Sequence, residues 1–522
     1  MVTNSQYLSV YNQSAPHRAM AEKITTDAET EPPAMDTTEL EIPGEVQYPS
    51  SPFLVPPRRP TPRRTLYLSN LDDQRFLRFS IKYLYVFPAA AAAAVPAAAL
   101  RDALGEALVE YYPLAGRLRH GEDGEEGKLV VECNAEGALF AEGSLPGLAA
   151  ADFLRGGGAR PHRSWRKLLY RVDAHSFVAV PPLVVQVTHL GCGGMMLCTA
   201  INHCLCDGVG TAQFLHAWAR AARSPDMAAA GNHPVVHDRR ALRPRCPPRV
   251  EFPHPEYQCH DVVADDDDAP SLLAHLLGQP LAPVSLTFTA ERLAHLKKQL
   301  LASSPSLKRC TSFEALAATV WRAWVRALDP PAPLRVKLLF SVNARRRLTP
   351  ELPDGYYGNG FVLGCAESTA AQVAVEADTA TVVRLVQEAK ERVDDAYVRS
   401  MVDLLEERRG AKPDLSASLV ISAWTRLGLE DLDFGAGAAA HMGPLTSEIY
   451  CVFVPVAGDP GGVTVLVSVP QAATDRFEHY CCNPMDARGV EETGGGAMAG
   501  NGMLERDEKQ QPCHGHEIKI DY

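Results

Sequence analysis

Positive charge is in short supply. Lys and Arg number 51 against 63 Asp and Glu, a formal net charge of −12. No basic stripe or Lys/Arg block stands out, which argues against nucleic acid as a partner. No run of 18 apolar residues occurs, so no membrane span is expected. The N-terminus lacks the apolar core of a signal peptide. The C-terminal Ile-Lys-Ile-Asp-Tyr matches no retention, peroxisomal or prenylation signal. Gly-x-Gly-x-x-Gly and Gly-x4-Gly-Lys-Ser are both missing, so dinucleotide and P-loop binding have no support. Gly-x-Ser-x-Gly is missing too, which argues against a serine hydrolase elbow. The 13 Cys are odd in number and scattered. Several sit inside apolar runs (Cys192, Cys198, Cys365, Cys451), as reduced buried thiols of a cytoplasmic protein would. A monomer is expected.

What is present suffices for two α/β domains. The 522 residues are 46% hydrophobic, ample for two cores. Residues 1–47 are polar and acidic without periodicity and are expected to be disordered, as is the tail 486–522. An N-terminal domain is expected over 48–223, a crossover over 224–275 and a C-terminal domain over 276–485. Asp265 to Asp268 reads as a solvated loop, since no ligand spacing supports a cation site. Strands are expected at Ile81 to Phe87, Leu183 to Leu190, Met195 to Ile201, Val284 to Thr289, Val336 to Val342, Ser447 to Val456 and Val463 to Val469. Helices are expected at Ala97 to Tyr111, Thr211 to Arg223, Ala290 to Ala302 and Phe313 to Leu328. The last opens on Thr311-Ser-Phe-Glu314, a capping box.

Chemistry concentrates in Asn202-His203-Cys-Leu-Cys-Asp207-Gly208. An apolar strand ends at His203, and Gly208-Val-Gly210 leads into a helix. An imidazole at a strand-to-helix junction stands on a rigid base and can face a cleft. The His-x-x-x-Asp spacing alone is weak. Two other readings of His203 are a core histidine and a zinc ligand with His189, Cys204 and Cys206. The second lacks a further Cys-x2-Cys pair to complete four ligands.

Other patches follow in order: Tyr112-Pro-Leu-Ala-Gly-Arg117, Cys192-Gly-Gly194, Thr311-Ser-Phe-Glu314 and Val342-Asn343-Ala-Arg345. Then come Tyr357-Gly-Asn359, Ser422-Ala-Trp424-Thr425 and Asp433-Phe-Gly435-Ala436-Gly437. As an ordered set over about residues 50–485, the chain resembles the plant BAHD acyl-CoA-dependent acyltransferases. The resemblance implies two similar-sized mixed-sheet α/β domains, chloramphenicol acetyltransferase-like, with a solvent channel between them. It also implies acyl-CoA as co-substrate, no metal and a small alcohol as acceptor. His203 would be the general base. Asp207 would pair with Arg345, with Gly208 and Asn343 supporting the same turn. Asp433, Gly435 and Gly437 would form a structural loop, in which Ala436 replaces the family's Trp. Trp424, Thr425, Tyr357, Asn359 and Thr311 would line the channel or the CoA side.

Gly443 to Tyr450 and Asn70-Leu71-Asp72 look most like the branch that acylates fatty alcohols, ω-hydroxy acids and monolignol-type alcohols. The apolar runs at Met195, Leu197 and Phe361 to Leu363 agree with an apolar acceptor, though core strands read the same. Two alternatives stay open. One is an N-acyltransferase. The other is a non-catalytic relative that partners fatty-acid elongation, which Ala436 would favour.

Overall fold

Two six-stranded sheets carry this computed structural model, which describes residues 41–89, 95–121, 127–155, 161–174, 176–224, 234–259, 278–435, 437–446 and 450–485. The first half supplies β1 (Phe53–Val55), β2 (Arg64–Tyr67), β3 (Ser80–Phe87), α1 (Ala97–Glu110), β4 (Arg117–His120), β5 (Leu129–Cys133), β6 (Ala138–Leu145), α2 (Ala150–Arg155), β7 (Leu183–Leu190), β8 (Met195–Asn202) and α3 (Gly208–Arg223). The second supplies β9 (Leu281–Phe288), α4 (Ala290–Ser303), α5 (Ser312–Leu328), β10 (Arg335–Asn343), β11 (Phe361–Thr369), α6 (Thr379–Glu391), α7 (Asp395–Glu407), β12 (Ser418–Ala423), β13 (His441–Pro444), β14 (Cys451–Val456), β15 (Asp459–Pro470) and α8 (Thr474–Cys482).

The first sheet runs β1-β6-β7-β8-β3-β13, and the second β11-β10-β12-β14-β15-β9. A three-stranded sheet, β2-β5-β4, accompanies them. Both large sheets mix parallel and antiparallel pairs: β6 with β7, β10 with β12 and β12 with β14 are parallel. The first sheet is not built from the first half alone. β13 closes it by pairing with β3, His441 opposite Val86.

Strands β7 and β8 read as continuous apolar runs because both faces of their sheet are covered. Alternation along β3 shows the two layers. Tyr83, Tyr85 and Phe87 join the core under α1 and α3. Leu84 and Val86 join a smaller core with Phe153 and Trp165. In the second sheet, Leu338, Phe340 and Val342 join the larger core of the helical layer, with Trp321 of α5 and Val386 of α6. Leu339, Leu363 and Cys365 form a separate cluster on the other face, with Phe361, Val420 and Phe76 from the first half. Met195, Leu197 and Val362, expected near a channel, are core residues.

Several expectations shift. Ile42 is 1% exposed in the core with Phe153 and Trp165, and its N–H donates to Ser164 Oγ at 2.9 Å. The ordered chain therefore begins before residue 48, because a buried isoleucine anchors the segment. Helix α3 starts at Gly208 instead of Thr211, since Asp207 caps it by accepting from Gly210 N at 2.9 Å. Cys198, Cys365 and Cys451 are buried thiols, but Cys192 is exposed in the β7–β8 turn. The crossover is bound tightly to the second half. Arg245 N and Arg249 N both donate to Asp403 at 2.8 Å. Ser400 Oγ accepts from Glu251 N at 2.9 Å and contacts His254 Nε2 at 2.8 Å. His254, Glu256 and Ser400 mimic a hydrolytic triad, but all are buried and serve as a latch. Asp265 to Asp268, Ala436, residues 447–449 and the 486–522 tail lie outside the described residues.

Candidate active site

His203 follows the last residue of β8 and is fixed by short-range bonds. Its N–H donates to Phe79 O at 2.8 Å. Asn202 Oδ1 accepts from Cys204 N at 3.0 Å, and Asn202 O from Leu205 N at 3.0 Å. A tight turn then delivers Asp207 to the helix cap. Gly210 is required there: a Cβ would lie 1.8 Å from Tyr357 O. The turn is thus clamped between the end of β8 and the segment 356–360.

The imidazole lies between two phenyl rings, one from each half of the chain. Phe79 is edge-on at 5.7 Å between centroids, and Phe361 is tilted at 5.8 Å. His203 Nδ1 is enclosed without a hydrogen-bond partner, while the residue as a whole keeps some surface open. Burial lowers the His203 pKa below the ordinary imidazole value. Its own carbonyl, Asp207, Asn359 and Asp72 act the other way without reversing it. Desolvation of this kind favours the neutral ring.

Asp207 is spoken for. Its Oδ2 accepts from Arg345 Nη1 at 2.7 Å and Gly360 N at 3.0 Å. Its Oδ1 accepts from Arg345 Nη2 at 2.9 Å and Gly210 N at 2.9 Å. Burial alone would raise this carboxyl, but the Arg345 guanidinium and the two amides hold it below the usual range. Arg345 is oriented in turn. Its N–H donates to Asn343 Oδ1 at 3.1 Å, and its Nη2 also donates to Gly358 O at 2.7 Å. Gly208 faces Leu427, which a Cβ would meet at 2.8 Å.

The residues expected to line a channel separate. Asn359 is 0% exposed and backs the turn, its Nδ2 donating to His203 O at 2.7 Å. Tyr357 is buried, its ring edge-on to Tyr111 at 5.3 Å and its hydroxyl 3.2 Å from His237 Nδ1. Trp424 is buried against Tyr83 at 4.7 Å between centroids. Thr425, next to it, is half-buried. Thr311 is exposed and caps α5 within the expected capping box. Asp433 Oδ1 accepts from Gly435 N at 2.7 Å and Gly437 N at 3.0 Å, and its carbonyl accepts from Arg223 at the end of α3. Phe434 packs edge-on to Trp218 at 4.8 Å. The loop is thus fastened to α3.

The zinc set does not assemble. His189 pairs with Glu142 at 3.3 Å, Cys204 Sγ contacts Leu77 O, and Cys206 Sγ contacts Thr211 Oγ1. Among the described residues no His/Cys/Asp/Glu group could hold a metal ion, and no helix is long and apolar enough to cross a membrane. A cavity of about 310 Å³ beside α4 and α8, lined by Phe288, Arg292, Leu296 and Cys481, includes none of the candidate residues. Sequence reasoning passed over Phe79 and Arg239 as site residues, and used Asp72 only as part of the branch-like patch Asn70-Leu71-Asp72. The one available signal was that Ser69-x-x-Asp72 and Arg239 lie in polar segments, where burial is not expected.

Comparison with known proteins fits this arrangement. Vinorine synthase, a solved structure, superposes with a TM-score of 0.63 over 85% of this chain and 99% of that one, at 19% identity. That likeness establishes the two-sheet fold. The chain also matches the Transferase family over residues 50–482, and it belongs to that family, the BAHD acyltransferases. Omega-hydroxypalmitate O-feruloyl transferase of Arabidopsis thaliana is 36% identical, over 82% of this chain and 91% of the relative. Fatty alcohol:caffeoyl-CoA acyltransferase of the same plant is 35% identical, over 82% and 96%.

Proposed function

We propose that this chain transfers an acyl group from acyl-CoA to an alcohol hydroxyl, with His203 as general base. The observation that carries the reading is the His203 ring itself. It is held at a strand end, kept neutral by burial, and set between phenyl rings from both halves of the chain. With Nδ1 enclosed, Nε2 is the nitrogen that serves a substrate. It takes the hydroxyl proton as the alcohol oxygen attacks the thioester carbonyl carbon. The tetrahedral adduct then expels the CoA sulfur as the C–S bond breaks, and the imidazolium returns the proton to the thiolate. No covalent acyl-enzyme is required. A positioned base of this kind is typically worth about 10²–10⁴-fold, and holding two substrates together supplies a further share.

The acceptor class we favour is an apolar alcohol: a fatty alcohol or an ω-hydroxy acid, with a hydroxycinnamoyl donor. The two phenyl rings beside His203, Phe79 and Phe361, support it, as do the relatives. An amine acceptor is the second choice: two relatives named as N-hydroxycinnamoyltransferases, of Avena sativa, are 34% identical, slightly below the O-feruloyl and fatty alcohol transferases. A non-catalytic role is not favoured. The relatives are named as transferases, and the His203, Asp207 and Arg345 arrangement is intact. We further propose a cytoplasmic location, which the buried free thiols of Cys198, Cys365 and Cys451 support, and a monomer.

The test is CoA release by the purified protein. Feruloyl-, caffeoyl- and acetyl-CoA are offered with 16-hydroxypalmitate, hexadecanol, coniferyl alcohol and spermidine, beside His203→Ala. Alcohol-dependent release that vanishes in the variant supports the reading. Spermidine-dependent release alone would transfer it to amines. A folded protein that binds CoA and releases none from any pair would overturn it.

A further inference from the structure

The His203 turn is held by a second carboxylate and a second guanidinium besides Asp207 and Arg345. Asp72, 0% exposed, sits in the turn after β2. Its Oδ2 accepts from Ser69 N at 2.9 Å and Ser69 Oγ at 2.6 Å. Its Oδ1 accepts from Asn359 N at 2.8 Å and Asn359 Nδ2 at 3.0 Å. The other hydrogen of that amide goes to His203 O. Arg239 comes from the crossover and is 1% exposed. Its Nη2 donates to Leu205 O at 3.0 Å, and its Nε is 3.7 Å from Asp72 Oδ2. The guanidinium lies over the rings of Tyr356 and Tyr357 at 5.0 and 4.4 Å. Gly358 is necessary beside it: a Cβ there would lie 1.8 Å from Arg239 Nη1.

Chemistry fixes the Asn359 amide in one orientation. Two acceptors, the Asp72 carboxylate and the His203 carbonyl, face its nitrogen. A flipped amide would set three oxygens against one another. Asn359 Oδ1 is left buried and unpartnered, a cost the site bears to present two donors. The two carbonyls held this way, those of His203 and Leu205, belong to the turn that aims the imidazole.

We propose that Asp72, Asn359 and Arg239 are positioning residues for His203, Asp72 acting as the hub that fixes the amide by hydrogen bonds and supplies the counter-charge to the guanidinium. This rests on His203 being the base. Asp207 and Arg345 hold the helix end of the turn, Asp72 and Asn359 hold its strand end at the His203 carbonyl, and Arg239 holds its middle at the Leu205 carbonyl. Releasing the His203 carbonyl lets the ring swing while both substrates still bind. A misplacement of about 1 Å can cost about 100-fold in rate.

The test compares Asn359→Ala, Asp72→Asn and Arg239→Lys with His203→Ala and with Leu300→Ala, a core truncation in α4. With feruloyl-CoA and 16-hydroxypalmitate, kcat should fall about 10- to 100-fold in the first three. Both KM values should stay within twofold. Leu300→Ala should melt earlier with kcat unchanged. A second readout needs no turnover. The 13C-labelled Cε1–H resonance of His203, assigned by its loss in His203→Ala, lies between two phenyl rings and reports ring orientation. It should move in the positioning variants and stay put in Leu300→Ala. Unchanged kcat and an unmoved resonance in folded variants would overturn the proposal. Should Asp72→Asn fail to fold, Asn359→Ser decides by the same two readouts. Activity that survives His203→Ala would instead sink the base assignment, and the resonance would still decide whether these residues aim the ring.

Discussion

Asp207 gives both carboxylate oxygens to Arg345, at 2.7 and 2.9 Å, while the enclosed nitrogen of His203, four residues earlier, receives no partner. The aspartate of the motif is therefore no relay to the histidine. It ties the start of α3 to the end of β10, 138 residues away in sequence, and so joins the two halves beneath the site.

Asp207→Asn is expected to lower stability and rate together. The substitution leaves Arg345 buried without its counter-charge, which typically costs about 3–5 kcal/mol. Urea denaturation should show the loss directly, and kcat should drop because the helix cap and the turn loosen together. A variant with native stability and a collapsed kcat would mean that Asp207 acts on the reaction itself.

The pH dependence of kcat/KM should follow the neutral imidazole. Burial lowers the His203 pKa, so the acid limb should reach half-maximum below the ordinary histidine value of about 6.5. Rate should rise with pH through that limb and level off near neutrality. A half-point above 6.5 in the free enzyme would contradict the burial argument.

Much of this was legible beforehand. Strands β7 and β8, the turn between them, and helices α1, α4 and α5 appear because apolar periodicity, glycine turns and a capping box are local signals. The Asp207–Arg345 pair came from family resemblance and not from spacing. What escaped reading is long-range. Strand β13 is four residues long, too short for periodicity, and it belongs to the sheet of the other half. Asn359 reads as a polar channel residue because sequence cannot show that Asp72, 287 positions away, lies against it. Arg239 reads as linker charge because only the folded crossover buries it between Tyr356 and Tyr357.

Acid lability should depend in part on His441. Its Nε2 is buried without a partner, its ring is edge-on to Phe153 at 5.9 Å, and burial lowers its pKa to about 4. The unfolded chain would bind this proton near pH 6.5. Between those two values the unfolded state holds more protons, so stability rises with pH and is lost as pH falls. The contribution at stake is on the order of 3 kcal/mol, complete above about pH 6.5 and gone near pH 4. His441→Leu should flatten that part of the curve when urea midpoints at pH 7.5 and 5 are compared. His237, whose pKa burial also lowers to about 4, should leave a residual slope. An identical acid loss in the variant would clear His441.

The N-terminal boundary of the folded region can be placed with two truncations. Residue 41 is the first described, and Ile42 reaches into the core of Trp165 and Phe153. Lys167 Nζ donates to Ile42 O at 3.2 Å, and Gln47 exchanges backbone bonds of 3.0 and 2.8 Å with Ser144. A chain starting at residue 41 keeps all of these contacts. One starting at 46 keeps the Gln47 pairing but exposes the pocket that Ile42 fills. Burying an isoleucine side chain is worth about 1.5–3 kcal/mol, so the shorter chain should lose about that much unfolding free energy and unfold at a lower urea midpoint. Its kcat should be preserved, because Ile42 packs on the face of the first sheet away from His203, in a different cluster from Tyr83, Ile201 and Leu205. Equal stability of the two truncations would show that Ile42 only fills space and that the folded unit begins nearer the residues of β1.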